Sequence, residues 1–447
     1  MSRRFRVAMV TASPFPTLGG SQVLTRQLAE ALAARGHDVH LVTYHLKGAA
    51  PPVALPTHRI PPVPGYAKLG AGPAWGKPFL DVLLAGRLLQ VVQRERIQII
   101  HAHNVEALAC GLLVRAWTGA PVVYHGHNVF EQELPAYFGR RLRHLARRVG
   151  WAVDATLPRR ADAVIVLTQF AAETLRAHGV PAARLHLIPP GIDCPPVPPR
   201  RVGFPACPLR RLESLRHDSL PDTFKTSEVL VENLMPIECI MGQNGAESAS
   251  GNLGGLVWQK VSGSKRYDSA GAQVVYAGNL DPYQDMELLL RCWPHVLAAQ
   301  PDATLTLISA SLPKRWQRLE ADMDIAASVR FVLGRDFGKV WATIAAADVV
   351  VCPRTSRDGF PIKLLNYMAA GRPIVVSAGS AHGLTHGETA HVVADGDERA
   401  FAAGIVALLD DPALARHLGD AARELARTRH DWAVIAQQVE AIYETVA

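Results

Sequence analysis

Residues 348–376 read DVVVCPRTSRDGFPIKLLNYMAAGRPIVV. Val349 to Cys352 is an apolar run of strand length, and the polar stretch up to Pro361 carries Gly359. Residues 362–370 then repeat apolar positions at helical spacing until Gly371, and residues 373–376 are apolar again. The order is strand, loop, helix, strand: a βαβ unit whose loop leaves the carboxyl end of a strand and enters the amino end of a helix. Backbone N–H groups at such a helix start have no intrahelical partner, and the peptide dipoles add partial positive charge, so phosphate is a natural guest. An ordinary strand-to-helix turn has the same local pattern, so the rest of the chain must decide.

The chain has 447 residues, more than the roughly 250 to 300 that one core usually supports, and two domains are expected. Lys and Arg total 47 against 40 Asp and Glu, a net charge of +7, which favours anionic partners. Basic residues do not interleave with aromatics in a stacking pattern, which argues against nucleic acid. Cys110, Cys194, Cys207, Cys239, Cys292 and Cys352 show no paired spacing, as expected of reduced thiols in a cytoplasmic protein. The opening MSRRFRVAMVTASPF has too short an apolar run before Pro14 and Pro16 for a signal peptide and reads as a first strand. Eighteen uninterrupted apolar residues occur nowhere, so no membrane span is expected.

Strand and helix patterns alternate along the first half. Residues 5–12 form a strand, then come Gly19 and Gly20 in a loop with Ser21 as a plausible N-cap, then a helix over 23–35. The two glycines either let backbone approach a ligand or simply make a tight turn; they are not a GxGxxG. Residues 38–44 are a strand, 46–78 a long Pro/Gly/Ala-rich loop, 79–92 an apolar helix, and 97–100 a strand running into His101, Ala102 and His103. Alternating histidines on a strand share a face, as a metal pair would, but no third ligand follows at suitable spacing, and a strand's carboxyl end suits a ligand-facing role better. The next strand, 122–125, leads into a loop with His125, His127, Glu131 and Glu133. Imidazole is suited to proton transfer or to a substrate hydroxyl, and a carboxylate can fix its tautomer, although a capped surface loop has the same composition.

Residues 139–160 alternate an apolar stripe (Leu142, Leu145, Val149, Ala152, Val153) with Arg140, Arg141, Arg143, Arg147 and Arg148. This is either a membrane-surface helix or a packed helix with a solvated basic face. Further strand and helix patterns end in the proline run PPGIDCPPVPP, a stiff linker. Residues 201–271 turn to Ser, Asn, Glu, Gly and Met without periodicity and read as an irregular insertion. Strands and helices resume with a strand at 273–277, the loop from Gly278 to Gln284, and helices at 286–299, 313–322, 340–346, 398–409, 412–427 and 432–447. The fold class is α/β, with two Rossmann-like doubly wound domains facing across a cleft.

Several pieces in this order carry a resemblance: PTLGGSQVLTRQLAEALAARGHDVHLVT (16–43), HAH (101–103), YHGHNVFEQELPAYF (124–138), ADAVIVLTQF (161–170), LIPPGID (187–193) and SRDGFPIKLLNYMAAGRPIVV (356–376). Together they resemble a GT-B fold glycosyltransferase of the family 4 type, over nearly the whole chain except 201–271. The resemblance implies retaining transfer from a nucleotide-diphosphate sugar as co-substrate, with no metal or other cofactor, and a last helix that crosses back to the first domain. The implied domains are residues 1–192 on the acceptor side with 430–447 packed on them, 193–272 as linker and insertion, and 273–429 as the donor domain.

On these positions the resemblance implies that Gly19 and Gly20 meet the donor phosphate or acceptor and that His127 lies beside the transferred sugar. The family's two glutamates, with seven residues between them, fall on Asp358 and Asn366, and its Arg and Lys for the diphosphate fall on Asn279 and Gln284. An amide keeps hydrogen bonds for ribose but loses charge, and losing two cations should cost several kcal/mol of transition-state stabilisation unless replaced; Arg354 and Lys363 are the replacements available. The expected donor contacts are completed by Gly278, Gly359, Phe360, Pro361, Ile362 and Leu364, and those of the acceptor side by His103, His125 and Glu131. The expected role is transfer to a glycan or lipid-linked acceptor in cell-surface polysaccharide or glycolipid synthesis, in the cytoplasm or on the inner membrane face through 139–160. A nucleotide-sugar epimerase, a phosphorylase and a silent nucleotide-sugar-binding protein of the same fold stay open. A dinucleotide oxidoreductase is disfavoured, because neither half shows GxGxxG with an acidic residue some twenty positions on.

Overall fold

The computed structural model describes residues 3–16, 20–46, 53–63, 76–139, 141–194, 271–310, 316, 318, 323–334 and 336–447. Gly19, Arg140, the irregular segment up to residue 270 and all but two residues of the helix expected at 313–322 lie outside them.

The first half supplies β1 (Arg6–Pro14), α1 (Gly20–Ala34), β2 (Asp38–Tyr44), β3 (Thr57–Arg59), α2 (Lys77–Arg94), β4 (Ile99–His103), α3 (Asn104–Thr118), β5 (Val122–Gly126), α4 (Phe130–Glu133), α5 (Arg143–Asp154), β6 (Ala163–Val166), α6 (Gln169–Ala177) and β7 (Leu185–Leu187). The strands form a parallel sheet in the order β3-β2-β1-β4-β5-β6-β7. The second half supplies β8 (Gln273–Ala277), α7 (Met286–Ala299), β9 (Thr304–Ser309), β10 (Val329–Leu333), α8 (Phe337–Ala346), β11 (Val349–Cys352), α9 (Ile362–Ala369), β12 (Ile374–Ser377), β13 (His391–Val393), α10 (Glu398–Asp410), α11 (Pro412–Arg429) and α12 (Trp432–Val446). Its parallel sheet runs β10-β9-β8-β11-β12-β13. Helices cover both faces, so central strands such as β11 are buried throughout, which is why they read as continuous apolar runs.

Each sheet reverses its winding once, between β1 and β4 and between β8 and β11. Crevices at the carboxyl ends of such strands are where α/β sheets bind ligands. The two sheets belong to one compact unit. One apolar cluster joins Val7 and Met9 of β1 and Leu28 of α1 to Tyr443 of α12 and to Val350, Leu364 and Tyr367 of the second half. The last helix crosses back as the resemblance implies: α12 packs on α1, and Glu440 is paired with Arg35. Gly191 is required at that crossing, since an added Cβ would lie 2.4 Å from the Trp432 ring.

One expectation needs correction, and one open alternative is narrowed. The loop assigned to 46–78 contains β3, and β13 is likewise not expected from the sequence; both are three-residue edge strands too short to show a period of two. The apolar stripe of 139–160 does not pack inward: Leu142, Leu145, Val149 and Trp151 are exposed beside the arginines, while Ala146, Gly150 and Asp154 are buried. Gly150 seats the helix on α4, where an added Cβ would stand 2.6 Å from Glu131 Cα.

Candidate active site

The loop between β11 and α9 is held by its neighbours. Asp285 accepts from Thr355 through both the backbone N (2.8 Å) and Oγ1 (2.6 Å). Ser377 donates to the Pro353 carbonyl at 2.9 Å and Ser380 to that of Ser356 at 3.1 Å. Gly359 takes φ +70°, and an added Cβ would collide with Asn128 Oδ1 of the first half at 2.2 Å. Phe360 is wedged between His382 (ring centroids 5.2 Å) and His430 (5.8 Å), which ties the loop to the start of the crossing helix. Pro361 then caps α9 without a side-chain hydrogen bond, and the first turn has no acidic residue. The start of α1 faces it, with the Cβ position of Gly20 lying 3.7 Å from Ile362 Cγ1. Two helix amino ends therefore converge on one spot, which favours an anion there.

Lys363 projects from the first turn of α9. Its ammonium donates to Tyr276 Oη at 2.7 Å and to Gln284 Oε1, and lies 4.2 Å from the Tyr276 ring centroid. Both partners are neutral, so this cation has no carboxylate partner among the described residues. Burial lowers its pKa to about 8. Gly278 leaves room for it, an added Cβ being 3.2 Å from Lys363 Cε. Asn279 lies on the exposed loop, bonded to Asp281 and Tyr283, whereas Gln284 is buried. Arg354 bonds the Asp358 carbonyl through Nη2, its guanidinium 5.6 Å from the Tyr283 ring centroid, and its Nε is buried without a partner. Leu364 is a core residue whose N–H is already bonded to the Pro361 carbonyl, so it offers a donor molecule nothing directly.

The opposite wall is built on β4 and β5. Parallel pairing sets His101 and His103 beside Val123 and His125, with His127 just beyond the strand end. His103 Nδ1 is 3.0 Å from His127 Nε2, His101 Nε2 is 3.1 Å from His125 Nδ1, and His101 Nδ1 is 2.6 Å from the Tyr443 hydroxyl of α12. His103 and His125, expected on the acceptor side, are buried behind His127 and bonded to other histidines, so they meet no acceptor directly. Burial pushes the pKa of all four below the ordinary value, to about 4 for His127. His101, His103 and His125 bring nitrogens within 4.8 Å of one another, as a metal would require. His101 Nδ1 and Nε2, His103 Nδ1 and His125 Nδ1 are already paired with Tyr443 or with one another and His127, so the group as it stands is a hydrogen-bonded chain.

Asp358 meets the first half: its Oδ1 accepts from Val129 N at 2.8 Å. Burial lifts its pKa to about 7, with Glu133 and Asp154 adding to the rise and Arg354 opposing it. Glu133 accepts from Asn128 and Tyr137. Glu131 faces away toward His178, 3.2 Å from Nε2. Asn366 is half-buried on the second turn of α9. Sequence reading did not single out Tyr276, Asn128 or Tyr443; each acts through a neighbour brought up by the fold, and only Asn128, next to His127, carried any local signal.

Two family models match the chain: Glycosyltransferase Family 4 over residues 18–194 and Glycosyl transferases group 1 over 271–411. Phosphatidyl-myo-inositol mannosyltransferase of Mycobacterium tuberculosis is 27% identical over 99% of this chain and 97% of its own length. The Mycobacterium leprae protein of the same name is 36% identical over 40% of this chain and 48% of that one. The chain belongs to the family 4 type of GT-B glycosyltransferases. Solved structures of the same fold include sucrose-phosphate synthase from Thermosynechococcus elongatus, with TM-score 0.72 and 21% identity, covering 99% of both chains. Another is Anabaena Alr3699/HepE in complex with UDP and glucose, with TM-score 0.64 and 16% identity, covering 99% of this chain and 100% of that one. In this glycosyltransferase Gln284, where the resemblance implies a cation, is reached by the ammonium of Lys363 on α9.

Proposed function

We propose that the protein transfers a hexosyl group from a nucleotide-diphosphate sugar to a hydroxyl of a glycan or lipid-linked acceptor, with retention and without a bound metal. The observation that carries this reading is Lys363, a cation whose partners among the described residues are neutral, set where the amino ends of α1 and α9 converge. A diphosphate would give it the negative partner it lacks, and Arg354 stands within the same loop. The bond between the anomeric carbon and the diphosphate oxygen breaks while the acceptor oxygen bonds to that carbon; the acceptor proton passes to the leaving phosphate. Positive charge fixed beside the leaving group stabilises what develops there. Asn366 is suited to the ribose hydroxyls and Asp358 to a sugar hydroxyl once the donor takes Val129's place, with His127 supporting the sugar from the first half.

The names of the mycobacterial relatives support a mannosyl donor and a phosphatidyl-inositol type of acceptor, and the UDP-glucose complex of Anabaena HepE supports a nucleotide-sugar donor. A lipid-linked acceptor also gives a use to the exposed apolar and basic face of α5 on an anionic membrane surface, in cell-surface glycolipid synthesis at the inner face of the membrane. Among the described residues no helix is long and apolar enough to cross a membrane. The test is a thermal-shift screen of nucleotide-sugars followed by transfer to a panel of polyol and lipid-linked acceptors, with the anomeric configuration of the product read by NMR. A donor at a hundred times its dissociation constant should stabilise by about 2.7 kcal/mol. Binding without transfer to any acceptor makes the protein a silent binder, and an inverted product removes the retaining mechanism.

A further inference from the structure

We infer that Tyr443, on the crossing helix α12, decides which ring nitrogen of His127 carries the proton facing the cleft. The inference rests on the reading of His127 as a sugar-facing residue for its consequence in catalysis, but not for its geometry.

Tyr443 is fully buried, and His101 Nδ1, 2.6 Å away, is the hydrogen-bond partner of its hydroxyl among the described residues. The phenol must donate, since the reverse direction would bury its hydrogen with no acceptor. Neutral His101 then has its proton on Nε2 and donates to His125 Nδ1 at 3.1 Å. This leaves His125 with its proton on Nε2, a nitrogen that is buried and unpartnered.

The His103 ring stacks against that of His125 with centroids 4.9 Å apart, and its own Nε2 is likewise buried and unpartnered. On stacked rings 4.9 Å apart two buried N–H dipoles set side by side repel, whereas an N–H beside a lone pair attracts. His103 therefore keeps Nε2 bare, has its proton on Nδ1 and donates to His127 Nε2 at 3.0 Å. His127 must then carry its proton on Nδ1, the nitrogen that bonds nothing in the described protein and is not among the buried unpartnered atoms. It presents a hydrogen-bond donor to the cleft, suited to a sugar or acceptor oxygen and unsuited to taking a proton from one. Burial holds all four rings neutral, so the order of donors is not lost by protonation near neutral pH. Tyr443 and His103 are positioning residues in this scheme.

The experiment is two-bond 15N–1H correlation on protein labelled at histidine, with His127→Gln to assign the signal. The wild type is expected to show the Nδ1–H tautomer at His127. Tyr443→Phe, which removes only the hydroxyl, should move a large share to Nε2–H and lower kcat about tenfold, with the donor KM within about twofold. An unchanged His127 tautomer in Tyr443→Phe overturns the inference, and so does an Nε2–H tautomer in the wild type, which can be read even if the variant fails to fold. His103→Asn keeps an N–H at the place of Nδ1, so adding Tyr443→Phe to it should move the His127 tautomer no further; a further shift also overturns the inference. A tautomer shift with kcat unchanged supports the relay and removes the catalytic reading of His127 instead.

Discussion

Lys363 comes from α9, 79 positions along the chain from the Gln284 it reaches. The resemblance puts Asn279 and Gln284 where it implies cations, which by itself implies a weakened site. The fold instead brings an ammonium from α9 onto Gln284 and Tyr276. Lys363→Ala is expected to lower kcat about 100-fold, the scale of losing one preorganised charge at a leaving group. Lys339→Ala, on the exposed start of α8, should change it less than about twofold; comparable small losses from both would end the role of Lys363. Its pKa of about 8 adds a second readout. The ammonium is present below that pH and lost above it, so donor affinity should fall as pH rises through about 8 in the wild type and stay flat through that range in Lys363→Ala.

At the scale of elements, long periodic segments were legible and short ones were not. Strand β2 and helices α7 and α9 follow from runs of buried apolar residues at the right period. Strands β3 and β13 have three residues each and exist because a neighbouring strand offers an edge, a fact held elsewhere in the chain. In α5 the period was visible but its meaning was not: the same spacing that buries one face of a packed helix here exposes Leu142, Leu145 and Val149, because the small residues Ala146 and Gly150 make the contact. An exposed apolar stripe flanked by Arg141, Arg143, Arg147 and Arg148 should bind anionic vesicles by both charge and insertion. The protein is expected to float with phosphatidylglycerol liposomes at low salt and largely to lose them at about 1 M, where the screening length is near 3 Å. Leu145→Asp should weaken flotation at low salt without unfolding the protein, since that side chain is already in water. Failure of the wild type to float at low salt would remove the membrane reading of α5.

The whole molecule depends on contacts that no local pattern announces. Asp358 and Val129 are 229 positions apart, and their hydrogen bond joins the loop after β11 to the loop after β5. Sequence placed both loops at strand ends and thus on a cleft, but it could not show that they touch. In this closed arrangement burial raises the Asp358 pKa to about 7, with Glu133 and Asp154 pushing in the same direction and Arg354 against. A raised acid favours the closed state in its protonated form: its contribution to closure is fully present below the ordinary carboxylate pKa and is lost as pH rises through about 7, when the carboxylate ionises and draws water. Opening the cleft restores solvent to the group and its ordinary pKa, so the equilibrium between closed and open forms should shift toward open between about pH 4 and pH 7 and level off above that. Asp358→Asn retains the oxygen that accepts from Val129 N and cannot ionise, so its radius of gyration by small-angle scattering should stay at the closed value across that range. A variant that opens with pH as the wild type does would assign the opening to other groups. If the variant stays closed at pH 8 and binds donor more slowly there than the wild type, Asp358 is the group whose ionisation admits the donor, and the position that resemblance assigns to a sugar contact also controls entry to the site.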